Sequence, residues 1–252
     1  MSEVVIKFEN VSKSYPMYHE MTGGLKPFLL NLPKAIKNLR RSRFESLKDI
    51  SFEVKRGETF GIMGKNGAGK STTLSLIAGV IKPTSGKVTV NGRISPLLEL
   101  GAGFHHELTG RENILLNGVL LGMTKKQVLS KVDEIINFSE LGEFIEQPIR
   151  TYSSGMLARL GFSVVSHLDP EILLVDEVLA VGDIGFQRKC LDKMNLFRRK
   201  GVTMVFVSHF AGEIEKLCDR AMWIDNRLVS MIGSAHEIAE AYSKSVDFFK
   251  TV

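Results

Sequence analysis

Gly64-Lys65-Asn66-Gly67-Ala68-Gly69-Lys70-Ser71 is the stretch of this 252-residue chain whose reading decides the fold. The apolar run Thr59 to Met63 leads into it, and a helix-forming segment, Thr72 to Ala78, leads out. The spacing is that of G-x-x-x-x-G-K-[ST], a phosphate-binding loop between a strand and a helix. Each residue type has a task in such a loop. Glycines let successive backbone N–H groups turn inward on a polyphosphate, Lys70 reaches its terminal phosphates, and the Ser71 hydroxyl is a ligand for Mg²⁺. The expected phosphate contacts are Gly64, Asn66, Gly67, Ala68, Gly69, Lys70, Ser71 and Thr72.

A second motif supplies the acids such a site needs. Glu171 to Glu177 is an apolar strand ending in Asp176-Glu177. An aspartate at a strand end can hold Mg²⁺ through water, and the adjacent glutamate can orient or deprotonate an attacking water. Val202 to Val207 reads as a further buried strand, with His209 just past its end. If that strand runs parallel to the phosphate-loop strand, His209 stands at the edge where nucleotides bind. His19, His105, His106, His167 and His236 have no comparable placement.

Bulk composition narrows the class. A hydrophobic content of 44% with 24% charged residues is ordinary for a globular protein and argues against disordered or fibrous chains. No run approaches the roughly 18 apolar residues of a membrane span, and Met1-Ser2-Glu3 does not begin like an export signal. Cys190 and Cys218 form no metal or disulfide pattern, which suits a reducing compartment. The cytoplasm is the expected location.

Along the rest of the chain, Val4 to Glu9 alternates as a half-buried strand does, and Leu47 to Val54 reads as a second strand. Lys87 to Val90 reads as a third, before the Asn91-Gly92 turn. These strands are expected to form a small antiparallel sheet beside the phosphate loop. An interrupted helical stretch runs from about Thr109 to Val165, opened by a Thr109-Gly110-Arg111-Glu112 capping box. Met222 to Asp225 and Arg227 to Met231 resemble a hairpin, and Ser234 to Glu237 caps a terminal helix over 234–252.

The net charge of +5 is unevenly spread. Lys26, Lys34, Lys37, Arg40, Arg41 and Arg43 fall between Met21 and Phe44 with no acid among them. Leu25, Phe28, Leu29, Leu32, Ile36 and Leu39 recur beside them at helical spacing, with Pro33 as a break. Residues 16–46 therefore read as a basic amphipathic insert. It forms either an interfacial helix against anionic lipid or a membrane protein, or a surface helix packed on its own core. Nucleic acid is the weakest option, since no recognition motif accompanies the charge.

Thr151-Tyr152-Ser153-Ser154-Gly155-Met156, lying between the phosphate loop and the acidic strand, resembles the L-S-G-G-Q signature of ATP-binding cassette (ABC) ATPases. Ser153 and Gly155 match; Tyr152, Ser154 and Met156 depart. Small residues at a helix N-terminus still offer N–H groups and a hydroxyl to a phosphate. The resemblance covers nearly the whole chain. It implies an α/β fold of the P-loop NTPase class, an ABC-type nucleotide-binding domain over 1–252 with a RecA-like core, an antiparallel β lobe and a helical lobe at about 108–165.

It also implies that Ser153, Ser154 and Gly155 engage ATP held by a second copy of the chain. Tyr15, otherwise a possible core aromatic, becomes an adenine-stacking residue. Asp176 becomes the metal-associated acid, Glu177 the catalytic base and His209 the switch histidine. Ala180-Val181-Gly182-Asp183 becomes the inter-subunit loop, with Asp183 retained. The family's metal-contacting glutamine is missing ahead of Phe104, and Glu99 is the substitute candidate, a carboxylate being at least as good an Mg²⁺ ligand as an amide oxygen.

The Leu98 to Phe104 stretch, the Glu107 to Asn113 run, the altered signature and the insert after Tyr15 are similar to ATPase subunits of bacterial polysaccharide exporters. Among these the likeness to O-antigen exporters is strongest, and a chain stopping at Val252 resembles forms without a C-terminal carbohydrate-binding domain. That resemblance implies ATP and Mg²⁺ as cofactors, a homodimer, a separate membrane permease as partner and lipid-linked polysaccharide as cargo. The location becomes the cytoplasmic face of the inner membrane, and no nucleic acid is involved. Rival readings are a capsule or teichoic-acid exporter ATPase, a soluble ABC ATPase acting on DNA or ribosomes, and a nucleotide-binding regulator that does not hydrolyse.

Overall fold

The computed structural model describes residues 3–17, 43–97, 103–176 and 182–248. The 18–42 segment that carries most of the basic amphipathic pattern, Glu99, Glu177 and the Ala180-Val181 pair lie outside the described residues. Two sheets carry the architecture. Strands β1 (Val4–Pro16), β2 (Arg43–Lys55) and β4 (Ser85–Val90) form an antiparallel sheet in the order β2-β1-β4. The larger sheet runs β5 (Ile94–Leu97), β6 (Ile172–Asp176), β7 (Thr203–Ser208), β3 (Thr59–Met63), β8 (Arg220–Asp225) and β9 (Leu228–Ser234). It is parallel except at the β8–β9 hairpin.

The central strands read as unbroken apolar runs because both of their faces are covered. Alternation within them sorts side chains to opposite layers. Leu173 and Val175 of β6, with Met204 and Phe206 of β7, join one core cluster. Ile172, Leu174, Val205 and Val207 join the other. The second cluster fills the space between the two sheets together with helix α1 (Lys70–Ile77). An aromatic ladder ties this layer: the rings of Phe8 and Phe52 stack at 4.5 Å, and those of Phe52 and Phe60 at 5.4 Å. Phe60 and Ile62 of β3 are completely buried, and each such burial stabilises by roughly 1.5–3 kcal/mol. The strand that feeds the phosphate loop is thereby held on every side.

A third cluster belongs to helices α2 (Gly110–Leu120), α3 (Lys125–Ser139) and α4 (Ser154–Ser166). The expected capping box at Thr109 is present, with Glu112 reaching back to the Thr109 N–H at 2.9 Å. A second box, Thr124 with Gln127, opens α3. Two short 3₁₀ turns, Gly142–Glu146 and Ile149–Thr151, explain the interruptions in the helical pattern. Helices α5 (Ile184–Arg199), α6 (Ala211–Leu217) and α7 (Ala235–Phe248) cover the remaining face of the large sheet. The Ser234–Glu237 cap of α7 is present, Glu237 Oε2 accepting from the Ser234 N–H at 3.0 Å.

Several boundaries differ from the sequence reading. Strand β1 continues to Pro16 and β2 begins at Arg43, so both ends of the expected 16–46 insert are strand, and Tyr15 pairs with Phe44. Irregular register around Asn10, which has a positive φ of 51°, broke the alternation that marks a continuous strand. Strand β5 was not expected at all. Pro96 disguised it, and its edge position beside β6 is what allows a proline there.

Candidate functional site

Strand β3 ends at Met63, and the loop turns directly into α1. Two of its glycines are needed for different reasons. Gly69 adopts φ 110°, and a Cβ there would stand 2.5 Å from Leu47 Cδ2 and 2.7 Å from the Ser46 carbonyl oxygen. Gly67, at φ 79°, faces open space, so its requirement is the left-handed backbone alone. Lys70 is buried, and its ammonium donates to the carbonyls of Gly64 at 2.9 Å and Lys65 at 3.3 Å. Those bonds curl the chain around the amine. Ala68 is buried and packs into the cluster between the sheets.

Parallel pairing brings the second motif to the same edge. Met63 of β3 is level with Ser208 of β7, and Val207 of β7 is level with Asp176 of β6. The phosphate loop, Asp176 and His209 therefore all leave the sheet at its C-terminal edge, as expected for ligand sites in open α/β sheets. Ser71 Oγ lies 3.5 Å from Asp176 Oδ2. A recess of about 550 Å³ opens there, lined by Tyr15, Phe44, Ser46, Asn66, Gly67, Gly69, Lys70, Ser71, Thr72 and Asp176. Glycine N–H groups, an ammonium and a helix N-terminus make it receptive to polyanions. A hydroxyl and a carboxylate side by side are hard oxygen donors, the set that Mg²⁺ takes when phosphate and water complete its shell. Among the described residues no group of three His, Cys, Asp or Glu side chains could enclose a metal unaided.

His209 follows β7 but does not line the recess; its ring centroid is 3.9 Å from that of Phe210. The neighbouring Ser208 hydroxyl donates to Glu213 Oε2 at 2.6 Å and accepts from the Phe210 N–H at 3.0 Å, fixing the turn that presents His209.

The signature segment lies in the helical lobe and contributes nothing to the recess of its own chain. Ser153 caps α4, its hydroxyl accepting from the Met156 N–H at 3.2 Å. Tyr152 fills the position where the family pattern has leucine. Its ring is buried and its hydroxyl donates to the Phe144 carbonyl at 2.6 Å; burial pushes the phenol up to about 12. A Cβ on Gly155 would meet only Ser153 Oγ, at 3.8 Å. Asp183 caps α5, Oδ1 accepting from the Phe186 N–H at 3.0 Å, while Oδ2 pairs with Arg159 of α4. The cap bond and the Arg159 guanidinium hold the Asp183 carboxyl below its usual range. Arg159 also meets Glu140 at 3.2 Å and lies 5.0 Å over the Phe186 ring, tying the signature helix to the N-terminus of α5.

Residues 47–180 match the family model described as ABC transporter. The chain belongs to the ABC transporter family. As a member it is an ATPase, built as an α/β P-loop domain. It is 54% identical over 244 residues to the O-antigen export system ATP-binding protein RfbB of Klebsiella pneumoniae, covering 97% of this chain and 99% of that protein. It is 43% identical over 246 residues to the teichoic acids export ATP-binding protein TagH of Listeria monocytogenes, covering 98% of this chain and 72% of that one. In fold it matches an ATP-binding cassette solved as a dimer in a post-hydrolysis state bound to ADP and Pi, with a TM-score of 0.71, 22% identity and coverage of 91% of this chain and 98% of that one.

Within this ABC domain the sequence reading missed two lining residues, Phe44 and Ser46. Ser46 shares a 2.8 Å hydrogen bond with Thr72 of α1, so β2 braces the helix behind the loop. Neither residue belongs to a motif. The available signal was the pairing of Tyr15 with Phe44, which follows only from the register of β1 on β2.

Proposed function

We propose that this chain is the ATPase subunit of a bacterial polysaccharide exporter, hydrolysing ATP so that a separate membrane permease moves lipid-linked O-antigen across the inner membrane. The observation that carries the ATPase chemistry is the convergence of Lys70, Ser71 and Asp176 on one recess edged by Tyr15. The near full-length likeness to an O-antigen export protein supports the cargo. No helix among the described residues is long and apolar enough to cross a membrane, so the reading assigns the crossing to another subunit. The chain then works at the cytoplasmic face, with the basic insert beside the membrane partner.

In this reading Gly64 and the backbone of Asn66 to Thr72 cradle the phosphates, Lys70 offsets their charge and Tyr15 stacks on adenine. Ser71 and Asp176, with Glu99, would hold Mg²⁺, which neutralises charge building on the phosphate oxygens. Glu177 takes the proton of the attacking water, and His209 contacts the terminal phosphate from the end of β7. Ser153, Ser154 and Gly155 of a second copy close the site, with Asp183 at the seam. Those backbone groups are free of contact with the recess of their own chain, which supports a site shared between two copies.

The test is genetic and biochemical together. A strain lacking this chain is expected to accumulate lipid-linked glycan inside and to lose it from the surface, with wild type but not Lys70→Ala restoring export. Normal surface glycan in the deletion strain refutes the cargo assignment. Loss of a phosphate-rich wall polymer in place of O-antigen would support the teichoic-acid reading that the Listeria relative favours.

A further inference from the structure

The recess has a second aromatic wall, which neither the phosphate loop nor the fold requires. Phe44 pairs across the strands with Tyr15. Both rings line the recess with Lys70, Ser71 and Thr72, and both are partly exposed, Tyr15 at 37% and Phe44 at 40%. Directly opposed residues on an antiparallel pair place their Cβ atoms about 4.5–5.5 Å apart, close enough for two rings to act as one platform. Each ring also has a cation on one face. Lys13 Nζ lies 5.0 Å over Tyr15, anchored by donating to the Lys82 carbonyl at 2.8 Å. Arg227 Cζ lies 4.6 Å over Phe44.

Arg227 is held there by backbone geometry. It occupies the turn between β8 and β9 at φ 70°, following Asn226 at φ 47°, and its carbonyl accepts from the Lys48 N–H of β2 at 2.9 Å. The turn is thereby clipped to the strand that carries Phe44. Cation–π attraction at an exposed site favours the paired geometry by roughly two- to fivefold, enough to bias the ring towards one orientation.

We propose that Phe44 is a second nucleobase-contacting residue, sharing the base of ATP with Tyr15, and that Arg227 positions its ring. The inference rests on the reading that the recess binds ATP. Phe44 has no polar atom, so its contribution is stacking and desolvation of the base and leaves the phosphates untouched. Base–aromatic stacking is worth about 1–3 kcal/mol, or roughly five- to 150-fold in affinity.

The experiment measures equilibrium binding of ATP and of inorganic tripolyphosphate, which has no base, to the purified full chain. Phe44→Ala and Phe44→Leu are expected to weaken ATP about tenfold and to leave tripolyphosphate unchanged, while Phe44→Tyr or Phe44→Trp retains the ATP affinity. Arg227→Ala is expected to weaken ATP by about two- to threefold, again without effect on tripolyphosphate. Unchanged ATP affinity in Phe44→Ala overturns the proposal and assigns the ring to packing against another part of the chain. Equal loss of both ligands overturns it too, as damage to the phosphate loop. Failure of the wild-type chain to bind ATP removes the functional reading itself along with this inference.

Discussion

Ser71 Oγ and Asp176 Oδ2 stand 3.5 Å apart although 105 residues separate them in the chain. That is long for a bond between the two and suits a pair of oxygens reaching for a common third group. Ser71→Ala is expected to raise the Mg²⁺ concentration for half-maximal ATP hydrolysis by on the order of 10–100-fold, the scale seen when a metal site loses a supporting group. Asp176→Asn should do the same. A Mg²⁺ titration of phosphate release that superimposes on wild type would remove both residues from the metal site.

Glu177, the residue that follows β6 in the sequence, is the proposed general base. Glu177→Gln keeps size and hydrogen bonding but cannot accept a proton. Hydrolysis is expected to slow by on the order of 10²–10⁴-fold while ATP affinity holds. Single-turnover phosphate release and equilibrium ATP binding on the same preparation separate the two effects, and wild-type turnover refutes the role.

Gly69 and Gly155 make contrasting demands. A Cβ at 69 collides with Leu47 and the Ser46 carbonyl, whereas at 155 it meets nothing closer than 3.8 Å. Gly69→Ala should lower the thermal midpoint and abolish ATP binding. Gly155→Ala should fold and bind ATP as wild type does but fail to dimerise on ATP, because in the proposed dimer the added methyl enters space taken by the second copy. Light scattering of the Gly155→Ala chain with ATP decides it: wild-type dimerisation would rule out a close approach at this glycine.

Acid stability reports on His167. Its Nδ1–H donates to the Ser163 carbonyl at 2.8 Å beside the Phe138 ring. Burial holds its pKa below the ordinary 6.5, with nearby Lys193 and Lys131 acting in the same direction. The unfolded chain therefore takes up a proton that the folded chain refuses. Stability is full above about 6.5 and declines as pH falls through the lowered folded value. His236 acts oppositely: its bond with Glu215 raises its pKa, so its contribution is present at low pH and fades as pH rises through that raised value. His167→Gln should flatten the decline of the melting temperature between pH 7 and pH 5. An unchanged slope would mean that carboxylates alone set acid stability.

Short-range information in the sequence determined the phosphate loop, the acidic strand end, the signature helix and the caps at Thr109 and Ser234. Each of these is a fixed spacing of residue types whose chemistry acts within one turn or one strand. It also marked β6 and β7 as central strands, because fully apolar runs such as Ile172 to Val175 and Met204 to Val207 suit a sheet covered on both faces.

What only the tertiary structure decided is which distant residues share a surface. The level pairing of β3 with β7 and of β7 with β6 brings Lys70, Asp176 and His209 to one edge. The register of β1 on β2 sets Phe44 against Tyr15, and the β8–β9 turn carries Arg227 to Phe44. Register is fixed by the summed packing of whole strands, and a shift of one residue would turn Phe44 to the opposite face. No single residue along the chain encodes that sum.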